Sequence, residues 1–205
     1  MNVKRNDWFV TPVWEVKTNF DKTFNNQLIL DINNYYNESN ANKTDSNIWS
    51  SNKQSINYLN KTILDYVRKL TYEYVSVNYD GDFDYYHTRG WLNYHKPGQH
   101  LPIHGHGGSK LTITYYVNAP ENCGDLLMID PRGGVDWDKG MDGINGTKFN
   151  RIKPEAGKLV IFPSYILHTV EENKSNEPRI SITSDISTLS SASIRDFVKG
   201  LNNVL

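Results

Sequence analysis

Apolar residues recur with two different periods along this chain, and the change of period divides it. Between Asn19 and Asn37, Phe20, Phe24, Leu28, Ile32 and Tyr36 stand four apart, with Leu30 and Tyr35 nearby, which predicts an amphipathic helix. A second helix is expected from about Ser55 to Tyr74, where Ile56, Leu59, Ile63, Tyr66, Val67 and Leu70 share one face. That stripe reads as core packing and carries no chemistry. Ahead of the first helix, residues 8–17 (WFVTPVWEVK) mix aromatic and β-branched residues with Pro12, which suits an edge strand. The Asn-, Ser- and Lys-rich stretch 37–53 reads as a surface loop, with Trp49 either anchoring it or lining a substrate cleft.

Downstream the period falls to two. YVSVNYDGDFDYY alternates around Asp80-Gly81, a tight-turn signal. Its acidic trio Asp80, Asp82 and Asp84 lacks the downstream ligands of a calcium loop and reads as a solvated turn. From Gly90 the pattern is all-β. Strands are expected at Trp91–His95, 110–117 and 124–130, and in GKLVIFPS, ILHTVEE and RISITSDI. Residues 131–150 hold five glycines and read as one long loop, a candidate lid carrying Trp137. The tail SSASIRDFVKGLNNVL reads as a short serine-capped helix.

Helices followed by short antiparallel strands make an α+β fold, with N-terminal helices packed on a β-sandwich or barrel. We expect one domain over residues 1–205: helical support over about 1–78, a β-core over about 79–188 and a tail helix over about 189–205. The 205 residues suffice for one substantial core, and at 12% aromatic content its burial leans on Tyr, Trp and Phe. A net charge of −1 and a pI of about 6.6 give no global electrostatic case for nucleic acid. Cys123 is the only cysteine, so an internal disulfide is excluded and a reducing compartment is expected. No apolar signal-peptide core and no membrane-length apolar run occur, so the expectation is a soluble cytoplasmic protein. The absence of GxGxxG and Walker loops argues against a nucleotide-binding core.

The candidate chemistry lies in WLNYHKPGQHLPIHGHGGSKLTITYYV, residues 91–117, which places His100, His104 and His106 in one run. A His-x-His pair at a strand end can aim two rings into one cavity, and neutral imidazole suits Fe, Zn, Cu or Ni. His168 follows the apolar run FPSYIL, where a solvated histidine is out of place, so His104, His106 and His168 form the expected metal set. Arg179 opens RISITSDI with Ser181 two residues on; on a strand both face one side, so guanidinium and hydroxyl can converge on one anion.

These segments (NYHKPGQHLPIHGH, SKLTITYYVN, GDLLMIDPR, GKLVIFPSYILHTV and RISITSDI) resemble the 2-oxoglutarate and Fe(II)-dependent oxygenases. The likeness is to the prolyl-4-hydroxylase-like branch and the small oxygenases common in phage and marine bacteria. It implies a double-stranded β-helix (jelly-roll, cupin-like) core. It also implies Fe(II), 2-oxoglutarate and O2 as reactants, with ascorbate as a candidate reductant. The product would be a hydroxylated C–H bond on a small molecule or a peptide (peptidyl proline among the candidates), with succinate and CO2 released. Carried over, His104 and His168 are iron ligands, Arg179 binds the distal carboxylate of 2-oxoglutarate, and Ser181 and Tyr94 assist, with Tyr115 a weaker candidate. No catalytic group beyond the metal ligands is implied.

One departure stands out. The family's usual triad is His-x-Asp…His, and here His106 occupies the carboxylate position. Either His106 is the third ligand, or a carboxylate such as Asp125 or Asp130 completes the set; His100 is a bystander. A cupin-like metal- or ligand-binding protein without oxygenase activity is the rival class, and Arg179-x-Ser181 is the feature such a protein does not need. A cofactor-free structural β-domain, such as a virion component, is the third.

Overall fold

The computed structural model describes residues 11–20, 22–38, 49–50, 83–132 and 149–190. In chain order these form β1 (Trp14–Lys17), α1 (Lys22–Glu38), β2 (Trp49–Ser50), β3 (Phe83–His95), β4 (Leu101–His104), β5 (Leu111–Asn118), β6 (Leu126–Ile129), β7 (Phe149–Ile152), β8 (Lys158–Pro163), β9 (His168–Val170) and β10 (Arg179–Ser190). All strand pairs are antiparallel. They build a six-stranded sheet ordered β1-β8-β5-β10-β3-β2 and a four-stranded sheet ordered β4-β9-β6-β7.

Side-chain parity on the large sheet explains the rest. Leu92 on β3, Ile113 and Tyr115 on β5, Leu159 and Ile161 on β8, and Ile180 and Ile182 on β10 all face outward and pack with Leu28 and Ile32 of α1. Their strand neighbours face the small sheet. There Tyr116, Val160 and Phe162 meet Leu126, Met128, Ile152 and Val170 in a second apolar cluster. Successive strand residues point to opposite faces, so one alternating pattern feeds two cores.

The expected helix at 19–37 is α1, and its four-residue stripe is the buried one: Leu28, Ile32 and Tyr36 are buried, while Leu30 is exposed on the far side. The expected edge strand is β1, which among the described residues pairs only with β8. Five strands depart from expectation: β2 falls within the expected 37–53 loop, β4 lies after Pro97-Gly98 where no strand was expected, and β3, β10 and β7 differ in bounds or place. β3 begins at Phe83 rather than Trp91, and its pairing with β10 shifts register between Asp185 and Ile186, a bulge that breaks the alternation a sequence reading follows. β10 runs to Ser190, past the expected start of the tail helix. β7 occupies the end of the expected 131–150 loop; only its Ile152 is buried, so FNRI carries no apolar alternation. The second helix, the Asp80-Gly81 turn, loop residues 133–148 and the tail from 191 lie outside the described residues. Among the described residues, no helix is long and apolar enough to cross a membrane.

Candidate metal centre

The inner face of the large sheet turns polar over β3, β5 and β10. Buried there are His95, Thr112, Arg179, Ser181, Thr183 and Asp185. Burying such groups is costly unless they are hydrogen-bonded or await a ligand. Of these, His95, Arg179, Ser181 and Thr183 floor an open pocket of about 390 Å³ that the small sheet covers with Leu101, His104, Leu126, His168 and Val170.

At one end of the pocket the three expected histidines converge. His104 ends β4 and stands directly opposite His168, the first residue of β9. His106 lies two residues on, its backbone N–H donating to the Ser164 carbonyl at 3.0 Å. Each offers a ring nitrogen within 4.8 Å of those of the other two. Their outward nitrogens are engaged: Nδ1 of His104 with the Pro102 carbonyl, Nδ1 of His168 with the Ile166 carbonyl, and Nδ1 of His106 with Oδ1 of Asp185, each at 2.9 Å. A carbonyl only accepts, so Nδ1 carries the hydrogen in His104 and His168, leaving Nε2 with a bare lone pair. Nε2 is therefore the nitrogen left for a shared ligand. Burial lowers the His104 pKa and pushes that of His168 down to about 4, keeping both rings neutral near pH 7. Mutually facing lone pairs repel until a cation sits between them, so the donor set fits a divalent transition metal.

At the other end stands Arg179, 3% exposed. It lies opposite His95 in the β3–β10 register, and its Nη2 donates to Nδ1 of His95 at 2.9 Å. Nη1 reaches the Gly124 carbonyl at 3.3 Å, and Nε is buried without a partner. Burial, then the neighbouring Arg179 charge, pushes the His95 pKa down to about 2, so the ring is neutral and Nε2 holds its hydrogen. That Nε2 is also buried and unpartnered. Ser181 lies on the same inner face, 3.5 Å from the Asn93 amide, which also donates to Thr183 Oγ1 at 2.9 Å. A cationic end with spare donors and a three-imidazole end thus share one pocket.

Several expected residues stand elsewhere. Tyr94 does not line the pocket: parity on β3 turns it toward α1, where it stacks on Tyr36 and donates to Asn33 Oδ1 at 3.1 Å. Tyr115 also faces α1 and donates to Asn25 Oδ1 at 2.6 Å. Asp125 and Asp130 are not brought to the histidines; Asp125 lies 3.6 Å from Arg151, and Asp130 is ion-paired to Arg132. His100 is exposed and outside the pocket. Trp49 enters the fold in β2, opposite Tyr94 in register, and Trp137 lies outside the described residues. Sequence reasoning missed His95, Asn93 and Trp91, which the i, i+2 rule supplies once Tyr94 is set outward. It missed Tyr116 for the same reason. Trp91 stacks on His106 with ring centroids 5.3 Å apart. Asp185 was legible only as the next inward position after Arg179, Ser181 and Thr183.

Residues 89–185, from β3 to the inward carboxylate of β10, match the family model described as "Putative 2OG-Fe(II) oxygenase". A PKHD-type hydroxylase of Prochlorococcus marinus (strain NATL1A) is 33% identical over 110 residues, covering 53% of this chain and 44% of that protein. The chain therefore matches less than half the length of that relative. Among solved structures, a Pseudomonas putida prolyl-4-hydroxylase superposes with a TM-score of 0.57 at 15% identity, covering 86% of this chain and 93% of the other. The viral collagen prolyl hydroxylase of Paramecium Bursaria Chlorella virus-1, in complex with 2OG, gives a TM-score of 0.56 at 18% identity, covering 85% and 94%. At these identities the two structures speak to the fold: a double-stranded β-helix, as expected from the sequence.

Proposed function

We propose that the pocket is the active site of a 2-oxoglutarate- and Fe(II)-dependent dioxygenase, a reading supported by the match of residues 89–185 to the 2OG-Fe(II) oxygenase family model. The reaction is hydroxylation of a C–H bond on a small molecule or a peptide. The observation that carries the reading is the pairing, in one pocket, of three imidazole lone pairs with a buried arginine that, among the described residues, has no carboxylate partner in its hydrogen bonds.

His104, His106 and His168 hold the metal in this reading. Bound there, Fe(II) with 2-oxoglutarate and O2 supplies the oxidising chemistry, with succinate and CO2 as co-products. Arg179 grips the distal carboxylate of 2-oxoglutarate, where its buried Nε meets the acceptor it lacks, and Ser181 adds a hydroxyl from the same face. His95 holds the guanidinium in place, and the buried apolar residues Leu126 and Val170 limit water in the pocket.

Succinate formation from 2-oxoglutarate with Fe(II), and ascorbate to keep the iron reduced, tests the assignment. Substrate-independent turnover is expected in the wild type and absent in His168→Ala. Failure to form succinate, together with a melting temperature indifferent to 2-oxoglutarate, contradicts it.

A further inference from the structure

Asp185 is fully buried at 0% exposure, in a position where an ionised carboxylate is costly to hold. Its surroundings show what holds it. It sits directly across from Thr112 in the β5–β10 register, and Thr112 Oγ1 donates to Oδ1 at 3.0 Å. Nδ1 of His106 donates to the same oxygen at 2.9 Å. Thr112 has only one hydrogen and gives it to Asp185, so in its 2.9 Å contact with Ser164 the serine hydroxyl must be the donor. Ser164 also accepts the backbone N–H of His106 on its carbonyl at 3.0 Å. Ring and backbone of His106 are thus tied into one closed circuit: Ser164, Thr112, Asp185, His106. The register shift between Asp185 and Ile186 falls at this residue.

The three histidines differ in this respect. His104 and His168 lean on neutral carbonyls, and His106 alone leans on a carboxylate. His106 is also the one that replaces the acidic residue of the usual His-x-Asp pattern. We propose that Asp185 is the positioning residue of the metal centre: through Nδ1 of His106 it aims Nε2 and supplies, one bond removed, the negative charge absent from the ligand set. This rests on the metal-binding reading above. A carboxylate behind a ligating imidazole fixes its tautomer and raises its basicity, and its loss weakens metal affinity by about 10–100-fold. Asp185 touches neither metal nor cosubstrate; it acts through His106.

The test is Co(II) titration of the purified protein, following the visible d–d spectrum, for wild type, Asp185→Asn, His106→Ala and the double variant. The wild type should bind one Co(II), and His168→Ala should bind none; if the wild type binds no metal, the underlying reading falls and this inference with it. Given wild-type binding, Asp185→Asn should lose about 10–100-fold in affinity with an altered spectrum, and should lose nothing further when His106 is already alanine. Unchanged affinity and spectrum in Asp185→Asn would overturn the proposal, as would an equal loss in the His106→Ala background. Should Asp185→Asn not fold, Thr112→Val keeps the carboxylate and removes one restraint on it. That variant is expected to bind at least about threefold more weakly, a fraction of the same supporting effect. Affinity and spectrum equal to wild type in a folded Thr112→Val protein contradict the circuit.

Discussion

Arg179 stands directly opposite His95 across β3 and β10 and donates to its Nδ1, so a buried guanidinium is held by a neutral ring instead of a carboxylate. Its hydrogen bonds to His95 and Gly124 position it without neutralising it, leaving the charge for a ligand. Replacing His95 with Asp gives Arg179 an internal counter-ion. A charge-assisted bond is worth about 1.5–3 kcal/mol, so 2-oxoglutarate should bind at least about tenfold more weakly to His95→Asp. His95→Gln, whose amide oxygen can still accept from Nη2, should bind within about threefold of wild type. Anaerobic binding isotherms with Fe(II) present decide it; equal affinity in both variants contradicts the assignment.

The same ring makes stability depend on pH. His95 has an ordinary pKa of 6.5 and is pushed down to about 2 in the folded protein, so below pH 6.5 the unfolded chain binds a proton that the folded one refuses. Stability contributed by the neutral ring is therefore present above pH 6.5 and declines as pH falls toward 2. Between pH 7 and pH 5 the linkage amounts to about 2 kcal/mol. Denaturant unfolding of wild type and His95→Gln at both values should show the wild type losing more by about that amount.

Gly124 ties the anion end to the backbone. Its φ of +88° suits glycine, and a Cβ there would lie 2.3 Å from the Glu171 carbonyl oxygen. Its own carbonyl accepts from Arg179 Nη1. Gly124→Ala should cost at least about 2 kcal/mol of stability from strain and backbone displacement. Because the displaced carbonyl is an Arg179 partner, 2-oxoglutarate affinity should fall with it. A variant as stable as wild type argues against this local geometry.

The histidines and Arg179 were legible because their signals are local: a His-x-His spacing, a histidine after an apolar run, and an Arg-x-Ser on one strand face. Tyr94 was expected at the site, and it faces α1, because a sequence shows that a strand alternates without showing which face is inward. The bulge opposite Asp185/Ile186 adds to this by interrupting the alternation along β3. Once Trp91, Asn93 and His95 are fixed inward, Tyr94 must point to α1. Asp185 was invisible as a partner of His106 because 79 residues separate them and only the β5–β10 register joins them. β7 was lost for a different reason, since three of its four residues are exposed.

Tyr94 yields its own prediction. Its hydroxyl bonds Asn33 on α1 and faces away from the pocket. Tyr94→Phe should lose about 1 kcal/mol of stability, the usual worth of one hydrogen bond, and leave 2-oxoglutarate affinity unchanged. A tenfold weaker affinity would return Tyr94 to the cosubstrate site.

In the proposed site His104, His106 and His168 hold Fe(II), and Arg179 holds the 2-oxoglutarate bound beside it. The most direct test is anaerobic titration of the protein with Fe(II) and then 2-oxoglutarate, following the charge-transfer absorption that chelation of the keto acid to iron produces. One iron per chain and a 2-oxoglutarate-dependent band are expected in the wild type. The band should be lost in His104→Ala and His168→Ala, and should need a higher 2-oxoglutarate concentration in Arg179→Ala. No band in the wild type, or the same band in the histidine variants, would contradict the proposed site.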